Sequence, residues 1–266
     1  MTIKIWYENT RPVDNTETHM FIQRLKANYS RFKSPDTEFA IKSPVKGVKE
    51  MKYIMPGDPY YQLLRDPEMV EGAIQAQREG YDAVIMGCYG DPGIEVARAI
   101  LDIPVIGVGE SSRVVCRYLG ATMIGVIGLP FRGVLMHRVA QLFAKEGFVA
   151  IRKSFSLSYE EIEACCEGNG DPTKFVEDFK KQAREAIKEG AQALIAAVTM
   201  GATLLTHQGV FEVDGVPVVD CTVAALKMAE TMVEMKRKGL WKSTKHIPED
   251  VFNALRQAHY YGSKSV

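Results

Sequence analysis

In the 266 residues, 33 lysines and arginines balance 33 aspartates and glutamates, so the formal net charge is zero. That balance provides no basic stripe for nucleic acid and no cationic face for a lipid surface as the main partner. Hydrophobic residues make up 46% of the chain and charged residues 25%, which suits a globular protein with core enough for one large α/β domain or two small ones.

The amino terminus, MTIKIWYENT, turns polar within a few residues and lacks the basic start and apolar centre of a signal peptide. No apolar run approaches the ~20 residues needed to cross a bilayer. Five cysteines without a secretory signal predict free thiols in a reducing cytoplasm. Cys165 and Cys166 are adjacent, and the histidines are scattered at 19, 137, 207, 246 and 259. Neither pattern has zinc-site spacing, so no metal is expected.

In chain order, strands are predicted at 2–8, 38–43, 82–88, 104–109, 122–128, 149–155, 193–199 and 217–221. Helical patterns fall at 15–30, 68–80, 93–101, 110–120, 136–147, 173–190 and 222–239. Several of the strands are almost wholly apolar, as in DAVIMGC and ALIAAVT, the mark of parallel strands covered on both faces. Strands alternating with helices imply βαβ units with right-handed crossovers. The stretch 45–61, with three aromatic residues, reads as a lid over a cleft or as a surface connection.

The chain also repeats itself. REGYDAVIMGCYGDPG is echoed by KEGAQALIAAVTMGAT, so that Gly80 matches Gly190 and Cys88 matches Val198. DIPVIG is echoed by GVPVVD, and IKIWYENTRP by MIGVIGLPFR. One unit used twice predicts two similar open sheets whose strand ends face a shared cleft, where ligands of such sheets bind. The expected lobes are residues 1–115 and 116–221, with residues 222–266 packing back on the first.

Chemistry is expected at those strand ends. Cys88 closes an apolar strand and opens the turn GCYGDPG, whose backbone N–H groups lie at a helix N-terminus. A thiol at such a turn is a candidate base or nucleophile; the rival reading is a buried small hydrophobe. Asn9 and Thr10 follow the first strand, as substrate contacts or helix caps. Tyr89 is read as covering the cleft, with the amides around Gly90 beside it. Val198, Thr199 and Met200 stand at the equivalent strand end, where a threonine hydroxyl and nearby amides suit a carboxylate or imide oxygen. Cys116 is read as core, and Cys165 and Cys166 as a helix end without chemistry. Asp91 and Glu110 read first as acids favoured at helix starts.

GCYGDPG, DIPVIGVGESS and GVPVVDCTVAALKMAE resemble the aspartate/glutamate/hydantoin racemase superfamily, and in particular its hydantoin and allantoin racemase branch. IWYENTRP stands where that branch has Asn-Pro-Asn-Thr. The resemblance implies two pseudo-symmetric α/β lobes and a cofactor-independent enzyme. In typical members one cysteine per lobe acts on opposite faces of a substrate carbon. Here Val198 replaces the second cysteine, Tyr7 the leading asparagine and Glu8 the proline. A substitute for the second thiol could come from Cys221, Thr199 or His207, of which Cys221 reads first as a small residue opening a helix. The expected function is a racemase-like isomerase acting beside a carbonyl or carboxylate, with Cys88 as acid/base or nucleophile. A single-cysteine lyase, decarboxylase or hydrolase, and a metabolite-binding protein, are the alternatives. The expected partner is a small molecule carrying a carboxylate or imide, with self-association left open.

Overall fold

The computed structural model describes residues 1–44, 59–129, 134–244 and 247–261. Most of the lid candidate, 45–58, and residues 130–133 of the second-lobe turn lie outside them.

Two sheets organise the chain. The first holds β1 (Ile3–Asn9), β2 (Thr37–Lys42), β3 (Ala83–Gly87) and β4 (Val105–Gly107), in the order β2-β1-β3-β4, all parallel. The second holds β5 (Met123–Gly128), β6 (Val149–Ser154), β7 (Ala193–Ala196), β8 (Glu212–Val213) and β9 (Val216–Val219). Its order is β6-β5-β7-β9-β8, antiparallel only at β8–β9. The first four strands of each order correspond one to one, as the internal repeat requires, so the two lobes share a topology. Gly80 and Gly190, matched in sequence, both take left-handed backbone (φ +76° and +97°) where a helix turns into the central strand.

The crossovers are helical: α1 (Met20–Phe32), α2 (Pro59–Arg78), α3 (Ile94–Ile100) and α4 (Val108–Tyr118) in the first half. In the second half they are α5 (Val134–Lys145), α6 (Tyr159–Glu167), α7 (Pro172–Lys188) and α8 (Thr199–His207), followed by α9 (Cys221–Arg237) and α10 (Glu249–Tyr261). Helix α1 starts five residues later than its apolar period suggests. The Asn15 carbonyl instead ties the Thr18 and His19 amides into a turn. The strand expected over 193–199 stops at Ala196, because Val198 is the N-cap of α8 and Thr199 its first residue.

One apolar core runs through both lobes, from Ile5, Tyr7 and Tyr29 to Val126, Leu204 and Cys221. Polar contacts seal the seam. Asn28 Nδ2 donates to the Thr203 carbonyl at 2.9 Å and Tyr29 Oη to that of Thr222 at 3.1 Å. Arg11 pairs with Glu163 and Glu167 of α6. Helix α9 leaves the second sheet and lies against β3, β4 and α4 of the first. Arg256 of α10 pairs with Glu71 of α2. Among the described residues no helix is long and apolar enough to cross a membrane.

Candidate active site

The loop after β3 positions Cys88. The Cys88 amide donates to the Met86 carbonyl, and its own carbonyl accepts from the Asp91 amide at 3.0 Å. Asp91 has a left-handed backbone (φ 47°) and is almost fully buried. Its two carboxylate oxygens accept the Gly109 and Glu110 amides at 2.9 and 2.8 Å, so it caps α4. A Cβ on Gly109 would sit 2.2 Å from the Tyr89 carbonyl oxygen and 2.9 Å from Asp91 Oδ2. Glycine at 109 is therefore what lets the 88–93 turn nest on the helix start. Glu110 stands in the first turn of α4, as expected of an acid at a helix start, and pairs with Arg98; Asp91 serves α4 rather than the helix that follows it in sequence.

Cys88 is the one cysteine of the five that is not buried. Cys116 lies in the core, as its sequence context suggests; Cys165 and Cys166 stand in the last turn of α6, the helix end expected, and are buried in the core as well. Cys221 opens α9 and is fully enclosed, and burial drives its thiol well above the ordinary value. That state suits packing and leaves Cys221 a poor second proton carrier. His207 is exposed at the end of α8.

Tyr89 departs from its sequence reading. Its ring is buried in the main core cluster rather than laid over a cleft. What position 89 offers a ligand is backbone. Asn9 is buried, and its Nδ2 donates to the Arg11 carbonyl at 2.9 Å and to Ser43 Oγ at 3.2 Å, closing the loop after β1. Thr10 and Gly90 are half-buried, and Met200 is buried.

Tyr7 joins the two strand ends. Fully buried, it donates its hydroxyl to the Gly87 carbonyl at 3.2 Å, beside Cys88. Burial, with Cys221, Cys88 and Asp220 close by, raises its phenol far above the ordinary value, so it stays neutral. Thr199 is half-buried, and Val198 beside it is buried. Sequence reasoning missed Arg65 and Tyr61 on α2. Arg65 Nη1 lies 3.4 Å from Cys88 Sγ, and the Arg65 guanidinium stacks 5.6 Å from the Tyr61 ring centroid. Among the described residues no cluster of three or more histidine, cysteine or acidic side chains could hold a metal ion.

Two α/β lobes, each built on a parallel-dominated sheet, give the chain the fold of Asp/Glu racemase-type proteins. The Asp/Glu/hydantoin racemase family model matches residues 54–229. The chain belongs to that family, on its hydantoin/allantoin racemase branch, and is a racemase-like enzyme. It is 27% identical over 215 residues to a hydantoin racemase of Pseudomonas sp. (strain NS671), spanning 80% of this chain and 81% of that protein. With the hydantoin racemase of Paenarthrobacter aurescens it is 30% identical over 168 residues, 63% of this chain and 68% of the relative. In fold it is similar to the allantoin racemase from Klebsiella pneumoniae (TM-score 0.71, 22% identity, 91% of each chain). Unliganded arylmalonate decarboxylase shares the fold more distantly (TM-score 0.55, 15% identity, 87% of this chain and 93% of that one).

Proposed function

We propose that the protein is an isomerase that moves a proton at a carbon next to the carbonyl of a hydantoin-like imide or a carboxylate, with Cys88 as its acid/base. The observation that carries this reading is the place of Cys88, directly after β3 and only partly buried, while the other four cysteines are buried. Such a carbon is a weak acid, so the developing enolate needs donors fixed where the charge appears. The amides at Tyr89-Gly90, and those at Thr199-Met200 on the first turn of α8, are suited to that task. Asn9 and Thr10 border the same end of the first sheet. This chemistry calls on no cofactor.

Inversion needs an acid and a base on opposite faces. Val198 carries no proton, so any second-face proton arrives through another group or water. Exchange at the Cys88 face then outruns inversion. The same apolar residue favours a second reading: a lyase that expels carbon dioxide toward the Val198 side and protonates from Cys88. Proton NMR in D2O with 5-substituted hydantoins and substituted malonates tests both. Loss of the α-proton signal with wild-type protein, absent in Cys88→Ala, supports the isomerase, and a decarboxylated product supports the lyase. Exchange that persists in Cys88→Ala, or none with any hydantoin, overturns the proposal.

A further inference from the structure

A buried guanidinium stands beside Cys88 with few partners of its own. Arg65 Nη1 lies 3.4 Å from Cys88 Sγ, and the Arg65 side chain is only 12% exposed. Sulfur is a weak acceptor. The carboxylate that meets Arg65 is Asp66, next in sequence and 33% exposed, with Oδ1 3.4 Å from Nη2. That is longer than a good N–H···O bond. Arg65 Nε is buried with no hydrogen-bond partner among the described residues. Tyr61, one helical turn earlier, holds its ring centroid 5.6 Å from the guanidinium carbon and limits how the plane can tilt. Arg11 shows the contrast: it is also buried, and two carboxylates, Glu163 and Glu167, meet it.

A guanidinium taken this far out of water calls for an anion in good geometry. A carboxylate is such an anion, because its two oxygens match the guanidinium fork. Cys88 sets where it would arrive. A carbon that exchanges a proton with the sulfur comes within about 3–3.5 Å of it. A carboxylate oxygen stands about 2.4 Å from the carbon that carries the group. A carboxylate on the reacting carbon therefore comes within reach of a nitrogen 3.4 Å from the same sulfur.

We infer that Arg65 determines specificity by binding a carboxylate on the reacting carbon, so that the site prefers an open-chain acid to the neutral cyclic imide with the same side chain. A hydantoin offers the guanidinium only a carbonyl oxygen and is held less tightly, not excluded. The placement of the carboxylate rests on the reading of Cys88 as the acid/base; the preference for the acid is measured without turnover.

The test is isothermal titration calorimetry at neutral pH with ligands matched in all but charge. A 5-substituted hydantoin and the N-carbamoyl amino acid formed by opening its ring share their side chain, but only the second is a carboxylate. The amide of that acid is open and neutral. Racemic sets with methyl, isobutyl and benzyl side chains are the probes. Wild type is expected to bind the best acid at least about tenfold more tightly than its hydantoin or its amide, the worth of one charge-assisted hydrogen bond. That comparison needs no substitution. Arg65→Met is expected to lose about ten- to hundredfold in affinity for the acid and to leave the amide nearly unchanged. Arg65→Lys, which keeps the charge without the fork, recovers part of the loss. An acid that wild type binds no more tightly than its amide overturns the inference. So does an Arg65→Met protein that loses acid and amide equally, and so does the absence of binding by all three ligands. Deuterium exchange is scored separately. A preference for the acid that vanishes in Arg65→Met, with no exchange in any ligand, refutes the isomerase and leaves the inference standing. Exchange without that preference refutes the inference and leaves the isomerase standing.

Discussion

Glu8 gives the sharpest quantitative prediction. It sits near the end of β1 on the face covered by α2, and is 2% exposed. Trp6 Nε1 donates to its Oε2 at 2.7 Å. A Cβ on Gly72 would fall 2.3 Å from this carboxyl group, so the acid is pressed against the α2 backbone. Burial is the main cause that lifts its pKa from 4.5 to about 8; the Trp6 hydrogen bond and Lys42 oppose the rise, and Glu68 adds to it. The native state therefore holds a proton that the unfolded chain has released across that window. The stabilising protonation is fully present below about pH 4.5 and is lost as pH rises through about 8. At ~1.4 kcal/mol per pKa unit, the whole window is worth at most about 5 kcal/mol, a large part of the ~5–15 kcal/mol that holds a folded domain together. Glu8→Gln keeps an oxygen for Trp6 and has no titration. Urea denaturation of both proteins between about pH 5 and about pH 8 should show the variant gaining up to about 3.5 kcal/mol on wild type as pH rises. Parallel stability curves would refute the argument and mean that Glu8 is ionised in the fold, with Lys42 as its counter-charge.

Two further substitutions probe the site. Gly109→Ala forces a methyl group onto the Tyr89 carbonyl, a backbone atom that cannot rotate away. It should cost about 2–3 kcal/mol and displace the Cys88 turn, read as a lower melting temperature together with lost isotope exchange; wild-type melting contradicts the nesting of turn on helix. Val198→Cys returns a thiol to the start of α8, and should raise the rate of optical inversion toward the rate of deuterium exchange. Polarimetry beside NMR checks this, and an unchanged ratio shows that position 198 does not face the reacting carbon.

Much of the fold could be read from the chain because its signals are local. All eight strands expected from apolar runs are present, and the glycines at 80 and 190 punctuate two equal units through a backbone geometry that only glycine adopts at low cost. The site was less legible. Cys88 announces itself by its turn, but Arg65 lies 23 residues earlier on a helix of ordinary pattern. Its approach to the sulfur depends on how α2 crosses the sheet, which no periodicity encodes. Tyr89 misled through adjacency, since sharing a loop with Cys88 does not mean sharing a side. Tyr7 carries no local signal either, since its hydroxyl meets the Gly87 carbonyl 80 residues away.

Tyr7 and Val198 are best understood as one change. The resemblance to the branch implies asparagine and cysteine at these positions, small polar groups that leave hydrogen-bonding capacity in the seam. Here the Tyr7 ring is fully buried, edge-on to Tyr29 at 6.0 Å. Its hydroxyl takes the Gly87 carbonyl beside Cys88, and the N-cap of α8 is an apolar valine, Val198. Cys88 itself is met by the Arg65 guanidinium, 3.4 Å from its sulfur. A seam polar on one side and apolar on the other cannot treat the two faces of a substrate carbon alike. The asymmetry proposed for the chemistry thus follows from Tyr7 and Val198 together, where Val198 alone would remove a thiol but leave the polar surroundings of an ordinary racemase.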